Sequence, residues 1–330
     1  MHSTSSAAGR RFGAFAAAVP LTTLLGCSGP TVMPAALPAP VSGERIDVQT
    51  SAGRVACWVA GPQSATAAPL LLVHSVNAAG SAYEVRPLHE HYAASRRVYS
   101  LELPGYGHSD RAPRRHTPRG MSAAILATVE EIARREGPAP IDALAVSLGS
   151  EFLARAAAAS PQRFRSVALV SPTGFDRHAP WLGPPDSTRG KAWLYGLFTV
   201  DLWSRPIFDL LTSRRSVRYF LEKTWGGTNI DEGLLEYDLL TTRDPDAHHV
   251  VYDFVGGYLF SADITRVYEQ LDMPVWMAHG VRGDFTDYRE KGLLEGRPNW
   301  RFTVFQTGAM PYFEVPGEFF AAYEGFLAGR

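Results

Sequence analysis

The chain has 330 residues, 45% of them hydrophobic and 20% charged, with a formal net charge of -1. That composition is ordinary for a soluble globular enzyme, and the length fits one large α/β domain or two small ones. The near-zero charge gives no global field that would draw in nucleic acid. Two cysteines, Cys27 and Cys57, exclude a disulfide framework and offer no metal-ligand spacing.

Arg10 and Arg11 precede an apolar run from Phe12 to Leu25 that is too short to span a bilayer comfortably. A basic start, a short apolar region and then small residues make the pattern of an export signal, expected over residues 1–26. Leu24-Leu25-Gly26-Cys27 resembles a bacterial lipoprotein cleavage box, in which the cysteine is lipidated and becomes the new N-terminus. The resemblance implies an exported lipoprotein anchored to the membrane through Cys27, or a periplasmic or extracellular protein if Cys27 is not lipidated. Several acyl chains on one residue anchor stably, since each buried methylene adds roughly 0.8 kcal/mol. The arginine pair also fits twin-arginine export. Residues 27–43, rich in Pro, Ala and Gly, read as a tether.

Residues 44–330 carry the folded domain. Ile46–Val48 and Arg54–Val59 flank Ser51-Ala52-Gly53 as a hairpin. Leu70–Val73 is a continuous apolar run, as expected of a strand buried on both faces, and it ends at His74. A helix with Val85, Leu88 and Tyr92 on its apolar face follows, then a strand from Arg97 to Leu101. Met121, Ile125, Val129 and Ile132 lie at helical spacing, and Gly137-Pro138 ends that helix.

Ala143–Val146 suits another buried strand, which stops at Ser147, and a helix-forming run from Glu151 to Ala159 begins almost at once. A strand that becomes a helix over one residue strains that residue and exposes its side chain at the strand's carboxyl end. Such a turn tolerates only small residues two positions away, here Ala145 and Gly149. Val167–Val170 is the next strand. About ninety residues then carry many aromatics and recurrent helical spacing (Leu194, Phe198; Val217, Phe220, Leu221), which predicts a helical insertion over about 175–263. The core pattern returns at Val275–Ala278, followed by a strand from Arg301 to Phe305 and a closing helix with Phe319, Tyr323, Phe326 and Leu327 on one face. This alternation calls for a mostly parallel sheet with helices on both faces.

Four marks in order resemble the α/β-hydrolase family: the strand ending in His74, the Pro-Gly-x-Gly-x-Ser-Asp run Pro104–Asp110, the elbow at Ser147, and Gly280…Asp284 after a late strand. The resemblance spans about Glu44 to Leu327. It implies an α/β fold with a mostly parallel central sheet of about eight strands, helices on both faces and a helical cap. Gly105-x-Gly107 lacks the third glycine of a dinucleotide loop and does not open a helix. The family's chemistry makes Ser147 the nucleophile and Asp284 the acid, with Asp287 and Asp176 as weaker alternatives. The oxyanion hole is expected from the backbone N–H groups of Leu148 and Val76. Many relatives carry Gly where Ser75 stands; a side chain there narrows the hole or adds a hydroxyl donor.

The C-terminal flank departs from the family. Relatives read Gly-x-Gly-His-x-Pro-x-x-Glu-x-Pro, whereas Gly308-Ala309-Met310-Pro311-Tyr312-Phe313-Glu314-Val315-Pro316 lacks the Gly-His pair, and no histidine follows His279. A serine hydroxyl without a base is a poor nucleophile at neutral pH. Candidate bases are His178, His248 and His249 in the insertion, and His74, which the family more often uses structurally. His279 is expected to pack locally, His89 and His91 to lie on the surface, and the basic run Arg111–Arg119 around His116 to form a solvated face. Tyr312 stands where relatives often have a second histidine, but a phenol with pKa near about 10 is a weak base.

No metal site or cofactor is implied. The expected partners are an apolar small-molecule or lipid-like substrate and a membrane reached through Cys27, with no nucleic acid. Two functions remain open. One is a serine hydrolase cleaving an ester-like bond through Ser147 with an atypical base; the other is a catalytically silent ligand-binding lipoprotein of the same fold.

Overall fold

The computed structural model describes residues 36–329 except 177–179, 201 and 286, so the expected export signal, Cys27 and His178 lie outside the described residues. Eight strands form one sheet: β1 (Glu44–Thr50), β2 (Gly53–Ala60), β3 (Leu70–Val73), β4 (Val98–Leu101), β5 (Ile141–Val146), β6 (Phe164–Val170), β7 (Val275–His279) and β8 (Trp300–Val304). Their spatial order is β1-β2-β4-β3-β5-β6-β7-β8. The pairs β1/β2 and β2/β4 are antiparallel, and every later pair is parallel. The central strands β3, β4 and β5 are buried along their whole length because helices cover both faces, which is why Leu70–Val73 and Ala143–Val146 read as unbroken apolar runs.

Alternate residues of those strands feed two cores. Leu71, Val73, Ala143 and Ala145 face one side with Met121, Ile125 and Val129 of α2 (Pro118–Glu136) and Phe152 of α3 (Gly149–Ala159). Leu70, Leu72, Leu144 and Val146 face the other, against Leu88 and Tyr92 of α1 (Arg86–Ala93) and Phe319 and Tyr323 of the C-terminal helix.

Between β6 and β7 the chain forms α4 (Ala192–Phe198), α5 (Ser204–Leu211), α6 (Arg214–Trp225), α7 (Glu232–Thr241), α8 (His248–Val255) and α9 (Ile264–Glu269). The first five make the expected helical insertion, while α9 returns to pack on α3. The two chain passages at its neck pair with each other: the Arg189 N–H donates to Phe260 O at 2.9 Å and the Ala262 N–H to Ser187 O at 2.8 Å. Glu151, four residues past Ser147, is buried and accepts from Ser261 N–H at 2.8 Å and Thr173 Oγ1 at 2.6 Å, so α3 holds this neck. After β7 come α10 (Gly292–Glu295), α11 (Pro311–Glu314) and α12 (Pro316–Ala328). The end of the Pro/Ala-rich stretch lies on the domain: Tyr237 Oη donates to Pro38 O at 2.6 Å, and Val41 is buried with Trp58 and Ala82. Among the described residues no helix is long and apolar enough to cross a membrane.

The start of β5 is fastened by charge. Asp142 is fully buried and accepts from Arg96 at 2.6 Å, Ser166 Oγ at 2.6 Å and Arg165 Nη2 at 2.5 Å, linking β5 to the chain before β4 and to β6. Burial opposes the charge of Asp142, but these donors outweigh it and lower its pKa to about 2. A folded-state pKa below the unfolded value means that this contribution is complete above about pH 4 and is lost as the pH falls towards 2. Asp142→Asn should therefore cost about 2 kcal/mol or more near pH 7. Chemical denaturation at several pH values checks this, and the gap from wild type should shrink as acid protonates Asp142.

Candidate active site

β5 ends at Val146 and α3 begins at Gly149, and the two residues between them cannot both be helical or extended. Ser147 takes the strain, with φ at +51°, a left-handed conformation costly for a residue with a Cβ. Three hydrogen bonds hold it there: Ser147 N–H to Val170 O at 2.8 Å, Ser150 N–H to Ser147 O at 3.0 Å, and Ser150 Oγ to Ala145 O at 3.1 Å. The small residue at Gly149 is required by sterics, because a Cβ there would lie 2.3 Å from the His74 carbonyl oxygen. The same close approach brings the loop after β3 beside the elbow. Ser147 and Leu148 line one cavity with Ser75, Val76, Asn77, Ala78 and Ala79.

Neither the Leu148 nor the Val76 N–H has a protein partner among the described residues. Leu148 also sits at the N-terminus of α3, where backbone donors and the helix dipole favour negative charge. The loop is shaped by Glu84, a buried carboxylate that accepts from Ser75 N–H at 2.7 Å and Asn77 Nδ2 at 2.6 Å. Ser75 Oγ accepts from Asn77 at 3.3 Å, so its side chain is tied within the loop.

The cavity has a volume of about 480 Å³, and much of its wall is apolar: Val217, Phe220 and Leu221 from α6, Val251, Phe254 and Val255 from α8, and Phe260. Asp284 lines it, as do Asp176 and Asp287. The Asp284 carboxylate pairs with Lys223 Nζ at 3.2 Å, with 58% of its side chain exposed, and its N–H donates to Lys223 O at 3.1 Å.

His74, His248 and His249 are absent from the cavity lining. His74 is fully buried, its Nδ1 hydrogen-bonded to Ser75 O at 2.5 Å and its Nε2 accepting from Leu103 N–H at 3.0 Å. Both ring nitrogens are thus committed, and burial holds its pKa below the usual value. His248 Nδ1 donates to Pro245 O at 2.9 Å, and His249 lies 3.6 Å from Asp246. Where relatives place the catalytic histidine, the cavity wall is formed by Ala309 and Met310. Ser171 Oγ pins this segment by donating to Ala309 O at 2.7 Å. Tyr312 is fully buried and packs on Phe319 with ring centroids 5.5 Å apart.

Other polar residues differ from their expected places. His279 packs locally as expected, stacked on Tyr288 at 4.0 Å. His89 is buried instead of exposed, its ring nitrogens engaged by Ser100 Oγ at 2.7 Å and Ser42 O at 3.0 Å. The run around His116 is a solvated face only in part: Arg115 and Arg119 are exposed, whereas Arg111 and His116 are buried. Arg111 is buried and donates to Gly107 O at 2.9 Å and Thr241 O at 3.0 Å, and His116 is buried against Asp253 at 3.1 Å. The insertion folds over this run, which no local pattern of charge reports. Sequence reasoning also missed Glu84, Glu151 and Asp238, since isolated acids in helices carry no signal of burial.

Sheet order, the strained elbow and the loop after β3 beside it together define the class: the chain has the α/β-hydrolase fold. The family model for the alpha/beta hydrolase fold matches residues 68–216. The chain is similar to the crystal structure of a serine hydrolase involved in carbazole degradation (CarC enzyme), at 14% identity and a TM-score of 0.65, over 88% of this chain and 100% of that one. It is also similar to carboxylesterase CesB from Bacillus subtilis, at 17% identity and a TM-score of 0.63, over 88% and 93% of the two chains. A Cif epoxide hydrolase from Acinetobacter nosocomialis aligns at 17% identity and a TM-score of 0.64, over 86% and 88%. No curated protein matches the sequence.

The missing imidazole yields a direct expectation. A Gly-His pair inserted between Ala309 and Met310 restores the family spacing. It should raise turnover of an apolar aryl ester by about 100-fold or more, the usual contribution of a positioned base. Steady-state assays of the insertion variant, alone and combined with Ser147→Ala, check that the gain passes through Ser147.

Proposed function

We propose that this chain is a serine hydrolase for an apolar, ester-like substrate. The observation that carries the reading is Ser147 held at φ +51° in a largely apolar cavity that also contains Leu148 and Val76. In the reaction Ser147 Oγ attacks the acyl carbon, and the carbonyl oxygen takes up charge facing the Leu148 and Val76 N–H groups. The ester C–O bond breaks, the alcohol leaves with a proton, and water then cleaves the acyl-serine. Asp284 is the carboxylate of the site. The Ser147 proton passes to an atypical base and from it to the departing alkoxide. His178, outside the described residues, is the candidate base that the described wall leaves open.

A second reading, ligand binding without turnover, is favoured by Ala309 and Met310 in the wall where an imidazole would stand. A fluorophosphonate probe separates the two. Labelling of wild type that disappears in Ser147→Ala is the expected result. A folded wild type that stays unlabelled, yet still binds an apolar ester saturably, would establish the second reading.

The export signal and Cys27 support a lipid-anchored location. Full-length protein expressed in a bacterium should sediment with membranes, and Cys27→Ser should release it to the soluble fraction. Unchanged sedimentation of that variant would rule out anchoring at Cys27.

A further inference from the structure

Asp238 stands apart from the other buried acids. It lies on α7, is 2% exposed and lines the cavity, yet its Oδ1 is buried without a hydrogen-bond partner among the described residues. Glu84, Glu102, Asp142, Glu151 and Asp253 are equally buried, and each accepts from protein donors. An unpaired buried carboxyl group is costly and is normally removed or satisfied.

The helix cannot turn this side chain away. At its N-terminus Asp231 caps Leu234 N–H at 2.6 Å, and at its other end Thr241 Oγ1, one turn beyond Asp238 on the same face, donates to Ala79 O at 2.9 Å. Asp238 is therefore fixed close to the loop after β3, on a wall shared with Val217, Leu221 and Val251. Burial pushes its pKa well above the carboxylate range, and the nearby charge of Glu84 pushes it in the same direction. A carboxyl group in that state keeps its proton and carries one O–H donor.

We propose that Asp238 is the ligand's polar anchor in this cavity, a neutral carboxyl group donating a hydrogen bond to an uncharged oxygen of an otherwise apolar molecule. The ligand class is a long-chain or bulky hydrocarbon bearing a carbonyl, ether or hydroxyl oxygen. A cation is disfavoured because the wall beside Asp238 is apolar, formed by Val217, Leu221 and Val251. This rests on the cavity being a ligand site; it does not require Ser147 to turn the ligand over.

The test uses the exported full chain and displacement of the apolar dye N-phenylnaphthylamine by dodecane, methyl decyl ketone and dodecylamine. Wild type should favour the ketone over dodecane by about tenfold, the worth of one hydrogen bond. Asp238→Asn keeps a donor and should keep most of that preference. Asp238→Leu should bind ketone and alkane alike, with dodecane affinity and thermal stability held or raised, since an unpaired buried carboxyl is gone. Equal displacement by ketone and dodecane in wild type would overturn the role of Asp238 while leaving the cavity as a ligand site. Tightest binding of dodecylamine, lost in Asp238→Asn, would overturn it in favour of an ionised counter-ion. Failure of all three to displace the dye would sink the ligand-site reading itself.

Discussion

The turn from β5 into α3 is the constraint on which the site depends. A backbone that passes from extended to helical across Ser147 stores strain on the order of 1–3 kcal/mol, which persists only if neighbours over-determine it. Here β6 supplies the Val170 carbonyl for the Ser147 N–H, and Ser150 returns to Ala145. Gly149 completes the arrangement by letting the His74 carbonyl approach the start of α3. The elbow thereby fixes three neighbours at once: the strand on one side, the loop after β3 on the other, and the helix that carries Glu151 to the cap neck.

Buried acids then set the loops around that turn. Glu84 shapes the loop after β3, and Glu151 holds both chain passages of the insertion. Glu102 holds the Pro104–Asp110 loop through the His108 N–H at 2.9 Å. Gly107 lets that loop close over Glu102, since a Cβ there would fall 1.9 Å from Oε1 and its φ is +52°. Each carboxylate accepts backbone N–H groups that would otherwise be unsatisfied in irregular segments. The loops are irregular in shape but tightly held. Asp238, which accepts nothing comparable, is the exception and faces the cavity.

The cavity joins a family nucleophile position to a wall that lacks the family base. Pinning of Ala309 by Ser171 makes the substitution structural: the segment is held where the histidine loop would be, with Met310 adding apolar surface instead of an imidazole. Asp284 lines the wall and pairs with Lys223. Apolar contact and backbone donors therefore dominate what this site offers a ligand, and both act whether or not a bond is broken.

Much of this was readable from the chain itself. The unbroken apolar runs at Leu70–Val73 and Ala143–Val146 located buried strands, because a strand covered on both faces has no polar side to show. The small residues at Ala145 and Gly149 located the elbow, and the missing Gly-His pair after Gly308 was plain in one dimension. Local pattern could not report which scattered acids and histidines would be buried. Burial is decided by segments far away in sequence: Ser42 meets His89, and the insertion brings Thr241 to Arg111 and Asp253 to His116. The sequence by itself determined the strands, the elbow and the absence of a customary base. Only the tertiary structure decided that His74, His248 and His249 lie off the cavity wall, and that Asp238 lies on it with its Oδ1 unpaired among the described residues, because side-chain environment is set by long-range packing.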